Sequence, residues 1–294
     1  MAEKEDTLAV VQFIHPGKEQ TNVDAGWCEW GKVSDPHRRK FMLSEASFLH
    51  GDVESKGIVG FWGEWEGPSY ARRMPRVENE NRPRFVHLPA YYKPRFHEGL
   101  WDTDPFVFGD RFLYNGCQQH TRRGLSETFL RRLAPGSVIL FGSSIARRFV
   151  LDTVFVVGDY TDYQNGVWEP LAGLVPDEYF SLGLRTQALI EPSVDSFRLY
   201  RGSTYGERVG DMFSFTPCRA RSDGDERLGF ARPNVVMPCV TQNLTQGKKM
   251  TRVKGLDTMR KLWADIRFQV EAAGCLPAHR IELNPKVVRQ HEEA

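Results

Sequence analysis

The chain has 294 residues, of which 40% are hydrophobic and 26% charged, and its formal net charge is +1. This composition is typical of a globular protein with a sizeable core, and the near-zero charge excludes a protein that coats nucleic acid or membranes through a global field. No apolar run approaches the ~18 residues that span a bilayer. Five scattered cysteines without a Cys-x-x-Cys pair indicate a reducing compartment. We expect a cytoplasmic protein with no membrane partner and no metal site.

The first half of the chain contains three segments with the composition of strands. Residues 8–15 form an apolar run that ends at a Pro-Gly turn, and residues 57–65 form a second run that ends before Gly67. Residues 104–116 have the apolar and aromatic content of a strand that bends at Gly109. A short helix follows at residues 126–133, with Ser126 in the capping position.

The second half begins with the clearest local pattern in the chain. Residues 137–141 and 149–157 are β-branched and aromatic strands, with residues 142–148 as their connection. Two more short strands flank a Gly-rich loop between residues 197 and 219. Residues 256–274 place apolar side chains on one helical face, and Gly274 is a natural stop.

Strands outnumber helices along the chain and do not alternate regularly with them. A doubly wound parallel sheet is therefore disfavoured. The sequence predicts an α+β fold with few helices, a mixed or antiparallel, barrel-like sheet and one long amphipathic helix near the C-terminus. We expect a β-rich portion over residues 1–160 and an α+β portion over residues 161–294, or one continuous domain.

The segment from Trp62 to Arg76 has an unusual mixture of two tryptophans, two glutamates and three arginines. If the strand is extended, alternation places Trp62, Glu64 and Glu66 on one side and Trp65 on the other. An aromatic ring beside carboxylates and guanidinium groups suits a nucleobase or sugar with a phosphate. The structural alternative is a rim of Glu–Arg salt bridges over a buried tryptophan. The predicted acid or base is Glu64 or Glu66, and the predicted ligand contacts here are Trp62, Trp65, Tyr70, Arg72 and Arg73.

Other candidate ligand residues lie further along the chain. Gln118 could hydrogen-bond a base edge, and Arg122 and Arg123 could contact phosphate. Ser143 lies in a Gly-Ser-Ser turn whose backbone N–H groups could hold an anion, although residues 142–148 also suit a plain hairpin connection. Between residues 67 and 148 there are fourteen Lys and Arg against seven Asp and Glu, which indicates a positive region inside a nearly neutral chain.

Two segments resemble known families locally. The strands over residues 135–163 resemble the strand pair of PUA-like barrels of the ASCH and EVE kind, which implies binding of a modified base or RNA. Residues 199–217 resemble arginine-serine-glutamate ADP-ribosyltransferases, with Arg201 in the position of the first-strand arginine. The sequence Ser214-Phe215-Thr216 departs from that family's Ser-Thr-Ser strand, and no Glu-x-Glu follows it.

Three functional hypotheses follow from these patterns. The first is an enzyme, a transferase or hydrolase, that acts on a nucleotide or on nucleotides in a nucleic acid. The second is a non-catalytic PUA-like reader of nucleic acid or a modified base, and an NAD-using ADP-ribosyltransferase-like enzyme is a further alternative. The third is a protein-interaction module, because tryptophan and arginine also favour protein interfaces. The sequence specifies neither a cofactor nor an oligomeric state.

Overall fold

The computed structural model describes residues 5–15, 19, 25–28, 38–74, 83–89, 103–121, 126–221, 229–244 and 247–283. The described strands belong to two mixed sheets, and helices are few. The strands are β1 Ala9–Ile14, β2 Gly26–Cys28, β3 Arg39–His50, β4 Val53–Glu64, β5 Ser69–Arg73, β6 Phe85–Pro89, β7 Leu113–Tyr114, β8 Val138–Ile145, β9 Arg148–Gln164, β10 Ser196–Gly202, β11 Thr216–Ala220, β12 Gly247–Arg252 and β13 Leu276–Ile281.

The first sheet has six strands in the order β12-β1-β8-β9-β10-β7. Strand β1 is antiparallel to β12 and parallel to β8. Strands β8 and β9 form a hairpin in which Ile145 pairs with Arg148, and the two residues between them have positive φ angles of 48° and 61°. Two-residue turns in which both residues have positive φ match the right-handed twist of the strands they connect. The predicted connection over residues 142–148 is therefore wrong, because β8 continues to Ile145.

The second sheet has seven strands in the order β13-β11-β4-β3-β6-β5-β2. Its centre is the long hairpin of β3 and β4, which pairs from Arg39 with Glu64 to His50 with Val53. Strand β13 pairs with β3 as well as with β11, so that the sheet curls at this end. The described strands β6, β5 and β2 continue outward from β3, and the sheet as a whole does not close into the expected barrel.

Two local predictions from the first half of the chain are corrected. Residues 104–116 form isolated bridges and the two-residue strand β7 in place of one bent strand. The short helix near residue 126 is a 3₁₀ turn over Phe129–Arg132, and its cap is Thr128, whose side chain accepts from the backbone N–H of Leu130. Ser126 lies before this turn and does not cap it.

The described helical segments lie mostly in the second half of the chain. After a 3₁₀ turn at Glu169–Leu171, α1 Asp177–Tyr179, a π-type turn Phe180–Leu184 and α2 Arg185–Ile190 follow one another. Helix α3 covers Leu256–Ala272, and its buried residues recur at helical spacing: Met259, Trp263, Ile266 and Val270. Within the described ranges, no helix is long and apolar enough to cross a membrane.

The two faces of the β3–β4 hairpin contribute to two different hydrophobic clusters. Met42 and Phe61 pack in one cluster, together with Trp65. Phe41 and Trp62 pack in the other. Successive strand residues point to opposite faces of a sheet. The end of β4 therefore directs its functional candidates into two separate environments.

Candidate functional site

The candidate site lies where the start of β3 and the end of β4 meet β9. Arg39 and Glu64 are register partners, and Arg39 Nη1 lies 3.8 Å from Glu64 Oε2. Asp152 of β9 faces the same region, with its Oδ2 atom 2.9 Å from Arg39 Nε. All three side chains are almost completely buried. Charged groups are seldom buried unless they are paired.

Asp152 is the common partner of two arginines. Its Oδ1 atom accepts a hydrogen bond of 2.7 Å from Arg232 Nη1, while Oδ2 forms the ion pair with Arg39. Arg232 also binds Glu19 through Nη2, and Arg39 Nη2 donates to the carbonyl oxygen of His15. The cluster thus joins β3, β4, β9, the segment 229–244 and two residues beyond the end of β1, His15 and Glu19, where the two sheets meet.

Trp62 forms the apolar wall of this cluster and is only 5% exposed. Arg232 lies over its ring with 4.9 Å between Cζ and the ring centroid, and Phe41 packs edge-on against it. The indole Nε1 donates to the carbonyl oxygen of Phe230 at 3.0 Å. The ring is therefore covered by protein groups, and the structural alternative of Glu–Arg pairs over a buried tryptophan describes its surroundings.

A second group of polar side chains lies on the opposite face of β3. Lys40 is buried there and donates to the carbonyl oxygen of Trp65, and burial lowers its pKa to about 8, although the carboxylates of Glu66 and Glu64 oppose the shift. His87 Nδ1 lies 3.0 Å from Ser69 Oγ. Burial, with a smaller contribution from Lys40, lowers the pKa of His87 to about 3.

Glu66 does not extend the alternation of β4. The strand ends at Glu64, and the backbone N–H of Glu66 donates to Thr103 Oγ1 at 3.0 Å. Its carboxylate is the one that interacts most strongly with the charge of Lys40, whereas Glu64 is the ion-pair partner of Arg39. Trp65 is fully buried, and its Nε1 donates to the carbonyl oxygen of Pro68. Strand alternation therefore does not place Glu64 and Glu66 on the one face that the sequence predicted.

Two predicted residues from elsewhere in the sequence lie in or beside the Asp152 cluster. Ser143 Oγ accepts a hydrogen bond of 2.9 Å from Arg232 Nη1. Gln118 has a φ of 57°, and its Nε2 atom lies 3.5 Å from Nδ1 of His15, whose carbonyl oxygen binds Arg39. Gln118 also accepts from Lys248 Nζ through its carbonyl oxygen at 2.7 Å.

The predicted residues after β4 do not reach Trp62. Tyr70, Arg72 and Arg73 belong to strand β5, where a loop was expected, and both arginines are exposed. Strand β5 is three strands away from β4, which corresponds to about 14 Å. The structure thus places Arg72 and Arg73 at surface positions on another strand and not beside Trp62.

Arg201 is also remote from the Asp152 cluster. It pairs with Asp159 on β9, seven residues beyond Asp152, which corresponds to about 23 Å along a strand. Arg111 joins the same surface pair at 3.1 Å from Asp159. Arg122 and Arg123 lie outside the described residues.

Comparisons with protein-family models, curated proteins and solved structures found no match to this chain. A functional proposal therefore rests on the site itself. Among the residues that the structure describes, no three His, Cys, Asp or Glu side chains are grouped to hold a metal ion.

Sequence reasoning missed four residues of the site: Arg39, Lys40, Asp152 and Arg232. Asp152 carried a usable signal, because it is the one charged residue in the apolar run from 149 to 157. A charge inside a buried strand needs a partner, and this requirement predicts an arginine or lysine nearby. Which arginine or lysine pairs with Asp152 depends on contacts between residues 80 or more positions apart, and no local pattern specifies these contacts.

Proposed function

We propose that this protein binds a nucleotide, free or within a nucleic acid, and acts on it as a transferase or hydrolase. The carrying observation is the burial of Arg39, Arg232, Asp152 and Glu64 in one cluster beside Trp62. Buried ion pairs contribute less to stability than apolar packing of similar volume, so stability alone does not account for four buried charges in one cluster. The burial of these groups supports a binding or catalytic role.

The chemistry of the cluster suits a ligand that combines an anion with a ring. The guanidinium groups of Arg39 and Arg232 can bind phosphate oxygens, and they are held in place by Asp152. Because Arg232 covers the indole face of Trp62, the ligand ring would have to bind at the edge of this pair or displace the arginine. Trp62 is thus assigned to the wall of the site.

Glu64 is the better candidate for proton transfer in this arrangement. Its Oε2 atom is 3.8 Å from Arg39, so a phosphate on that arginine would have a carboxylate within reach of its substituents. Glu66 with Lys40 forms the other acid–base candidate, because Lys40, whose pKa is lowered by burial, lies beside it. The two candidates make different predictions for substitution.

The test combines binding and turnover on the full chain. A panel of nucleotides, NAD and short single-stranded oligonucleotides is screened by thermal shift, since a ligand of the folded state raises Tm. Products are then followed by mass spectrometry for the wild type, Glu64→Gln, Glu66→Gln and the control Glu54→Gln. Glu54 lies at the exposed start of β4, next to His279.

We expect one of the two site variants to lose turnover by about 100-fold or more while ligand binding is kept, and the control to match the wild type. Urea unfolding verifies that each variant is folded. Binding without turnover in the wild type would instead identify the non-catalytic reader. Silence of the whole panel would reject nucleotide binding.

A further inference from the structure

The two arginines of the cluster differ in how their N–H groups are paired. Arg39 Nε and Nη1 make ion pairs with Asp152 and Glu64 but no aligned hydrogen bond, and Arg232 Nε has no acceptor. Both guanidinium groups are at least nine-tenths buried. A buried donor that lacks an acceptor costs about 1–3 kcal/mol. The Arg39 donors face Asp152 Oδ2 and Glu64 Oε2, which also lack an aligned hydrogen bond, so Arg232 Nε is the donor of the two guanidinium groups that has no carboxylate oxygen assigned to it.

The three carboxylates around these arginines differ in their access to solvent. Asp152 and Glu64 are almost fully buried, whereas the side chain of Glu19 is 31% exposed. Glu19 accepts from Arg232 Nη2, whereas the buried Asp152 accepts from Nη1 of the same guanidinium group. Glu19 is thus the carboxylate of the cluster with the most access to solvent.

We propose that a singly charged oxyanion of the phosphodiester class binds Arg232, through Nη2 and the unpaired Nε, in the place of the Glu19 carboxylate. The exchange conserves the charge of the cluster, because one monoanion replaces another. A phosphate monoester with two charges would add a negative charge beside Asp152 and Glu64, which is unfavourable at this burial. Asp152 and Ser143 hold Arg232 from the inside, so the guanidinium is already in position when the ligand arrives.

This inference deepens the proposed function and rests on it for the choice of a nucleic-acid ligand. It identifies the phosphodiester linkage as the group that the site recognises, and Glu19 as a residue that competes with it. The anion site itself can be tested with small molecules that carry no base, so its failure is distinguishable from that of nucleotide turnover.

The experiment measures binding of diethyl phosphate, ethyl phosphate, acetate and a short single-stranded oligonucleotide by calorimetry. Variants are Glu19→Gln, Arg232→Lys and the control Glu207→Gln, which removes a carboxylate paired with Arg111 on the surface. We expect Glu19→Gln to bind diethyl phosphate and the oligonucleotide about tenfold more tightly, which corresponds to about 1.4 kcal/mol. Arg232→Lys is expected to bind both about tenfold more weakly, and the control to bind as the wild type does.

Several results would overturn the inference. One is unchanged or weaker binding of diethyl phosphate by a folded Glu19→Gln variant, and another is tighter binding of ethyl phosphate than of diethyl phosphate. Preference for acetate would assign the site to carboxylates. Tighter diethyl phosphate binding by Glu19→Gln without any nucleotide turnover would support the anion site and reject the enzyme. Nucleotide turnover by the wild type, together with unchanged diethyl phosphate binding by Glu19→Gln, would support the enzyme and reject this anion site.

Discussion

The guanidinium group of Arg232 lies over the indole ring of Trp62, with 4.9 Å between Cζ and the ring centroid. The two residues are 170 positions apart, and each is anchored by a second contact: Trp62 by the carbonyl oxygen of Phe230 and Arg232 by Asp152. A tryptophan and an arginine do converge, as the sequence composition suggested, but they bind each other. Trp62 is consequently a packing residue as well as a neighbour of the charged cluster.

Truncation of Trp62 is expected to destabilise the fold. Because the ring is 5% exposed and packed against Phe41, Trp62→Ala should lower the free energy of unfolding by about 3–5 kcal/mol in urea titrations. Arg72→Ala, at an exposed position on β5, should change it by no more than about 0.5 kcal/mol. Equal small effects for both variants would contradict the burial of Trp62.

Substitution of Asp152 is expected to lower the free energy of unfolding more than substitution of Asp159, a surface carboxylate that also pairs with two arginines. Asp152→Asn leaves two buried guanidinium groups without their shared charge, which should cost about 3–5 kcal/mol of folding free energy. Asp159 bridges Arg111 and Arg201 but is 43% exposed, so Asp159→Asn should cost about 0–1 kcal/mol. Chemical denaturation of the two variants measures the difference, and similar losses would refute the distinction.

Lys40 should make stability depend on pH in the alkaline range. Burial lowers its pKa to about 8, from 10.5 in the unfolded chain, so between these values the unfolded chain binds the proton that the folded protein has released. The contribution of Lys40 to the free energy of unfolding should therefore rise as the pH increases from about 8 to about 10, whereas the thiols of Cys218 and Cys275, whose pKa burial raises from 9.0, contribute with the opposite sign above about pH 9. Lys248, whose pKa burial also lowers to about 8, contributes with the same sign as Lys40.

Two variants separate these contributions. Lys40→Met should make the slope of the free energy of unfolding against pH less positive than in the wild type while leaving the contribution of Lys248, and Lys248→Met should remove the Lys248 contribution and leave that of Lys40. Urea titrations of the wild type and both variants across this pH range provide the measurement. A wild-type slope that persists unchanged in Lys40→Met would show that the Lys40 proton is not responsible.

His87 should make stability fall on mild acidification. Burial lowers its pKa to about 3, so between pH 6.5 and about 3 the unfolded chain gains a proton that the folded protein excludes. The free energy of unfolding should fall as the pH decreases below 6.5. His87→Gln, which retains a hydrogen-bonding group near Ser69, should reduce this slope between about pH 6.5 and about pH 5, before most carboxylates titrate.

The control is His279, a second buried histidine. His279→Gln removes a group whose pKa burial also lowers, but to a smaller extent. Its effect on the acidic slope should be smaller than that of His87→Gln. The opposite order, measured by denaturation at matched pH values, would contradict the assignment of the slope to His87.

Local sequence patterns predicted several elements because their causes are local. The β-branched run of β8 and β9, the apolar run of β1 and the two strands around the Gly-rich loop all appear as strands. The segment 104–116 was mispredicted because its apolar residues serve core packing through isolated bridges instead of a continuous ladder. The same composition satisfies both arrangements, so periodicity cannot separate them.

The sequence by itself determined the strand-rich character of the protein, the alternation that separates Phe61 from Trp62, and the excess of Lys and Arg over Asp and Glu between residues 67 and 148. The tertiary structure decided which arginines meet the carboxylates. Arg39 and Arg232 reach Asp152 because the start of β3, the middle of β9 and the segment after Phe230 meet where the two sheets join. Arg72, Arg73 and Arg201 are exposed or partly exposed on other strands. Long-range strand pairing sets these distances. It depends on the burial of whole sheets, so the sequence of a single segment cannot predict it.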